Sequence, residues 1–111
     1  MQAGKLDRRI TLQRASTTKN GFNEDVEAWG DIATVWASAT PVSDAERVRA
    51  QQVGAVISMR FQIRFSTAVA DLSPTDRLTY NGKTYNITAV KELGRRQGLE
   101  ITAATRSDAG A

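Results

Sequence analysis

Residues 55 to 65, AVISMRFQIRF, constrain the fold more than any other stretch of the chain. Ile57, Met59, Phe61, Ile63 and Phe65 alternate strictly with Ser58, Arg60, Gln62 and Arg64. Successive side chains leave a strand on opposite faces, so a period of two marks a β-strand with one apolar face and one polar face. Such a strand buries one side and wets the other, as antiparallel sheets do. Its β-branched and aromatic residues suit a pleated, half-buried surface. No other segment presents as much apolar surface from one face, which makes this the central strand. Ile57, Phe61 and Ile63 are predicted in the core with Ile87 and Ile101, and Arg60 and Arg64 point away from it.

The remaining segments supply partners for that strand. LDRRITLQR (6–14) sets Leu6, Arg8, Ile10, Leu12 and Arg14 against Asp7, Arg9, Thr11 and Gln13, a strand with a short buried centre. A polar run, 15–31, contains Asn20-Gly21, and both of these residues tolerate positive φ. That run reads either as a loose hairpin, with Val26 and Trp29 packing back on the body, or as a long flexible loop. IATVWASATPV (32–42) is a second long strand, with Val35, Ala37 and Ala39 on one face and Trp36, Ser38 and Thr40 on the other. Trp36 is a core or subunit-contact residue rather than a ligand platform, and Pro41 belongs at a strand end or edge.

Residues 66–76 read as a surface loop, and 77–80 with 83–93 as a hairpin about Asn81-Gly82. That turn pairs Tyr80 with Lys83 and Leu78 with Tyr85. GRRQG (94–98) is a further turn and LEITAATR (99–106) the last strand. Pairing Leu93 with Leu99 sets Glu92 against Glu100; a bulge near Thr88-Ala89 instead pairs Lys91 with Glu100 and Val90 with Ile101. The bulged register is preferred. The expected fold is mainly β: a small antiparallel β-barrel or sandwich of five to six strands, one domain over 1–106. A flexible C-terminal tail, 107–111, follows.

SDAERVRAQQVG (43–54) breaks the strand pattern. Ser43 and Glu46 stand in capping-box spacing, and Gly54 suits the left-handed residue that ends a helix. The helix between them has little to bury, Ala45 and Val48 with Gln52 on one side, and two turns with so thin a stripe are marginal in water. The segment is therefore a short helical or loop insertion, mobile or held by a neighbour.

Composition narrows the chemistry. The 111 residues hold no cysteine and no histidine, which removes thiolate chemistry together with the commonest metal ligand and general base. No nucleotide-binding or nucleophile-elbow motif occurs. Glu24, Asp25 and Glu27 form the acidic cluster, with spacing that fits no calcium loop. The expectation is no enzyme, no metal and no cofactor. No apolar run approaches a membrane span or signal-peptide core, so no membrane partner is expected and the chain stays where it is made unless it leaves inside something larger. A net charge of +3 is modest, and eleven arginines among fifteen basic residues lean towards phosphate or carboxylate contacts. One alternative is a single-stranded nucleic-acid-binding barrel of the oligonucleotide-binding type, with Phe22, Trp29 and Trp36 as the free aromatics.

AGKLDRRITLQR (3–14), TVWASATPVS (34–43), a Gln-containing loop, MRFQIRF (59–65), DRLTYNGKTYNITAV (76–90) and LEITAATR follow one another in an order and spacing that resemble the head–tail joining, or head-closure, proteins of long-tailed bacteriophages. The match departs at Thr105-Arg106, where that family often carries an acidic residue. The resemblance implies a structural subunit of a virion or phage-like particle, made in the host bacterial cytoplasm and placed at the head–tail interface. It implies a closed ring, sixfold or twelvefold by analogy, between the portal or its adaptor and a tail terminator or tail tube protein. In such rings a loop enters the lumen and helps retain packaged double-stranded DNA. Residues 43–54 stand where the family carries that loop, so Arg47, Arg49, Gln51 and Gln52 are its candidate DNA-facing residues. Ring closure needs two different complementary patches per subunit. The candidates are the first strand, including Arg9, with the 15–31 run and its Trp29 on one side, and Trp36 with the 66–76 loop on the other.

Overall fold

The computed structural model describes residues 6–43, 45, 48 and 51–108. Six strands, β1 (Arg8–Lys19), β2 (Asp25–Pro41), β3 (Val53–Arg64), β4 (Arg77–Tyr80), β5 (Lys83–Leu93) and β6 (Gly98–Asp108), close into a barrel in the order β1-β2-β3-β6-β5-β4. All pairings are antiparallel. Closure gives every strand a partner on each side over part of its length, and this separates a barrel from a sandwich.

The central strand sits where its pattern requires. β3 pairs with β2 on one side and with β6 along nearly its whole length on the other. Ile57, Phe61, Ile63, Ile87 and Ile101 are buried, while Arg60 and Arg64 are exposed. Phe61 meets Tyr80 and Tyr85 edge-on, with ring centroids 5.4 and 5.6 Å away, so the aromatics at the barrel centre come from β3, β4 and β5. The β4–β5 hairpin turns on Asn81 and Gly82, both at positive φ (54° and 79°), and pairs Tyr80 with Lys83 and Leu78 with Tyr85. The β5–β6 register shifts between Ile87 and Ala89, setting Lys91 opposite Glu100 and Val90 opposite Ile101. The bulge thus removes the clash of two glutamates that a regular ladder would impose.

Several readings of the sequence need correction. First, of the two readings of 15–31 the hairpin holds and the flexible loop does not: β1 and β2 stay paired out to Lys19 and Asp25. Its turn does not use positive φ at Asn20 or Gly21; Asn23 takes it, at 61°. Asn20 works through its side chain, whose Oδ1 accepts from the Phe22 and Glu24 amides at 2.8 and 3.0 Å. Val26 does not pack on the body, because it lies on the free part of the arm and is exposed. Second, Trp36 is 54% exposed, so it is not a core residue. Third, 66–76 is more than a surface loop. A 3-10 turn at Thr67–Val69 drops Val69 and then Leu72 into the core, where both are buried. Fourth, β6 runs to Asp108, opposite Val53, two residues into the expected tail.

Between β2 and β3, Ala45 and Val48 are helical, but both face solvent, contrary to the expected buried stripe. Gly54 has φ of 76°, within β3 at an irregularity between Val53 and Val56 rather than at the end of a buried helix. Glu46, Arg47 and Arg49 lie outside the described residues.

Candidate interaction surfaces

The β1–β2 hairpin carries the features that the barrel does not need for its own folding. β1 pairs with β4 only from Ile10 to Gln13, and β2 pairs with β3 only from Ala37 to Pro41. Beyond those points the two strands have only each other, and they project as a two-stranded arm. The radius of gyration of 15.3 Å exceeds the roughly 13 Å of a compact chain of this length, as a projecting arm requires. An isolated ribbon is marginal in water. This one is held by cross-strand pairs, notably Lys19 to Asp25 at 2.7 Å and the Ser16 and Thr18 hydroxyls donating to the Ala28 and Val26 carbonyls.

The base of the arm is clamped on the barrel. Arg14 donates from Nε and one terminal nitrogen to the two carboxylate oxygens of Asp76, each at 3.1 Å, and to Asp71 at 3.1 and 3.2 Å. Asp76 is the buried charged residue among those described, 3% exposed, and its Oδ2 also accepts from the Ser73 amide. Planar guanidinium and planar carboxylate match in a bidentate fork, so one arginine ties the arm base to the loop that plugs the barrel end. Hydrogen bonds donated to these two carboxylates raise the Arg14 pKa, with the bond to Asp76 the larger cause and that to Asp71 next. The bond from Arg14 holds the exposed Asp71 carboxyl below the usual carboxylate range.

The outer face of the arm and barrel brings the two tryptophans into line. In the β1–β2 ladder Leu12 opposes Ala33 but Gln13 opposes Asp31, so Ile32 is an extra residue. Trp29 and Trp36, seven apart, would point to opposite faces of a regular strand. The extra residue returns both to the outside. Trp29, half-buried, lies beneath the Arg77 guanidinium at 4.1 Å, and Arg77 Nε in turn donates to Gln13, whose amide donates to Asp31. Trp36 carries the Arg9 guanidinium at 4.7 Å. Of the predicted contact residues, Arg9 and Trp36 therefore come together, and Trp29 stands apart along the same face.

Around Arg9 and Trp36 opens a groove of about 800 Å³, lined also by Leu6, Val35, Arg64 and Phe65. Arg96 approaches the Phe65 ring at 5.9 Å. Ser66 opens the 66–76 loop that the sequence set beside Trp36, and it lines the groove; Arg64 and Phe65 were not singled out as contact residues, and their signal was the sudden end of the β3 alternation at Phe65-Ser66. At the far end of the arm Phe22 is 86% exposed. Of the insertion residues, Gln51 and Gln52 are exposed, while Arg47 and Arg49 lie outside the described residues. Among the described residues no group of three carboxylates converges on a metal-sized site, and no helix is long and apolar enough to cross a membrane.

Comparison with known proteins supplies the decisive finding. The profile of the phage head completion proteins matches residues 1–106. The chain belongs to that family. Among solved structures, protein SF1141 from Shigella flexneri 2a, determined in solution, superposes with a TM-score of 0.68 at 29% identity, covering 100% of both chains. A chain of the virion of a native gene transfer agent particle superposes with a TM-score of 0.65 at 26% identity, covering 94% of this chain and 97% of that one. No match was found among curated protein sequences. Head completion proteins are structural proteins of the phage particle. The family thus identifies a virion component with partners inside the particle, and points away from an enzyme.

Proposed function

We propose that this head completion protein is a ring subunit of the head–tail connector. On this reading it joins the portal or its adaptor to the tail, through a tail terminator or tail tube protein, and helps retain packaged DNA. The observation that carries the reading is the family match over 1–106 together with the likeness to a chain of an assembled gene transfer agent virion. Two features of the fold support it. The β1–β2 hairpin offers a neighbour both a projecting arm, whose outer strand edges are unpaired, and a groove at its base. The 43–54 insertion interrupts the barrel between β2 and β3 with Ala45, Val48, Gln51 and Gln52 all exposed. A segment whose described residues are so exposed belongs to the weakly stabilised part of a fold, from which moving gates are drawn.

In this account the insertion faces the ring lumen, Arg47 and Arg49 reach phosphates of the packaged double-stranded DNA, and Gln51 and Gln52 meet a neighbouring loop without adding charge. Its test replaces residues 44–53 by a short Gly-Ser linker. The barrel stays folded and the ring assembles, but filled heads lose DNA before tails attach. Heads that keep their DNA and join tails at the normal rate would refute the gate assignment.

The oligonucleotide-binding alternative fits the aromatics less well. Phe61, Tyr80 and Tyr85 form an interior cluster, and Trp29 and Trp36 each already carry an arginine of this chain. Free faces for base stacking are correspondingly few.

A further inference from the structure

We infer that the arm tip of one copy docks, Phe22 first, into the Arg9–Trp36–Phe65 groove of the next copy. The inference rests on the ring reading above and names the contact that would build it. Three observations carry it.

The first is hydrophobic. Phe22 at 86% exposure is the most exposed large apolar side chain among the described residues, held out by a turn that Asn20 orders rather than by a loose loop. The groove offers Trp36, itself 54% exposed, with Phe65, Val35 and Leu6 as apolar walls. An ordered aromatic seated in an apolar pocket with aromatic walls is the usual anatomy of an interface hot spot.

The second is electrostatic. Glu24, Asp25 and Glu27 flank Phe22, and only Asp25 has an ion-pair partner, Lys19, among the described residues. Arg9 and Arg64 line the groove and Arg96 stands at its rim over Phe65. The one carboxylate of the groove, Asp7, faces Arg8 at 3.7 Å. Acidic tip and basic groove are complementary, which steers docking and fixes its orientation.

The third is geometric. Tip and groove lie at opposite ends of the same hairpin, separated by the ten residue steps from Arg9 to Lys19, roughly 33 Å of extended strand. A chain cannot fill its own groove. Two different patches on one subunit give a heterologous contact, which repeats from copy to copy until it closes.

The cysteine-free sequence makes the test direct. One preparation carries Phe22→Cys and a second carries Ser66→Cys, a groove-lining position. A third carries Thr88→Cys, at an exposed site outside this groove, as control. Disulfides require Cα atoms within about 7 Å, so mild oxidation of concentrated mixtures reports docking itself. The expected result is a covalent dimer from the Phe22→Cys and Ser66→Cys mixture, well above that from Phe22→Cys with Thr88→Cys. Phe22→Ala should weaken self-association about tenfold to thirtyfold, measured by sedimentation, with unchanged thermal unfolding because the side chain is exposed. No selective cross-link, or undiminished self-association of Phe22→Ala, overturns the contact. A selective cross-link in a protein that particles do not carry at their neck would uphold the contact and refute the ring function instead. Particles with a ring but no such cross-link would do the reverse.

Discussion

Replacing Arg14 by leucine tests whether the barrel end is held by a bidentate arginine or merely decorated by one. Asp76 is 3% exposed, and in the variant its carboxylate keeps only the Ser73 amide, at 3.1 Å. Removing one partner of a buried ion pair typically costs about 3–5 kcal/mol, because the remaining charge stays buried and uncompensated. The Arg14 side chain is 41% exposed, so water can enter where it was, which lowers the expectation to roughly 2–4 kcal/mol. The bond to the exposed Asp71 adds little. The informative comparison is the double variant Arg14→Leu/Asp76→Asn. It removes the stranded charge while leaving an amide oxygen for Ser73, so part of the lost stability should return, leaving a deficit of roughly 1–2 kcal/mol. Urea unfolding of the monomeric proteins measures both differences under two-state conditions. A double variant no more stable than Arg14→Leu would refute the reasoning. The cost would then lie in the lost packing of the arginine stem, not in the buried charge.

Two further outcomes follow from the structure. Phe61→Ala removes a fully buried ring with two edge-on aromatic neighbours and should cost about 3–5 kcal/mol in the same assay, a large share of a small domain's stability. Asp71 has a folded pKa below its ordinary 3.8, so its contribution is present above that value and is lost as pH falls through the folded one. Asp71→Asn should therefore lower the melting temperature slightly at neutral pH and merge with the parent protein in acid, which flattens the acid limb; a difference that does not shrink as pH falls would contradict the assignment.

The sequence carries the barrel's interior plainly and its exterior poorly, for a physical reason. Alternation reports burial, so the β3 core row, the Asn81-Gly82 turn and the β5 bulge, which relieves a glutamate pair, could all be read from local residues. The bulge at Ile32 leaves no such mark, because neither Leu12 nor Asp31 has a neighbour whose mispairing would signal it. Without that extra residue Trp36 and Trp29 fall on opposite faces, and the outer row they share stays hidden. Arg14 and Asp76 are 62 positions apart, and nothing local distinguishes a plugging loop from a solvated one. Val69 and Leu72 were the available hint, two aliphatic residues in a segment otherwise rich in turn formers. The groove escaped for a related reason: its walls come from the start of β1, the middle of β2 and the end of β3, and only the closed barrel brings them together.

The central claim is that this chain forms a ring at the junction of head and tail, and imaging that junction in purified particles tests it most directly. The account predicts, between the head vertex and the tail, a closed ring of barrels of this fold, each extending its β1–β2 arm to the adjacent copy and turning the 43–54 insertion towards the lumen. Particles whose head–tail junction lacks this chain, or in which it is spread over the capsid surface, would contradict it.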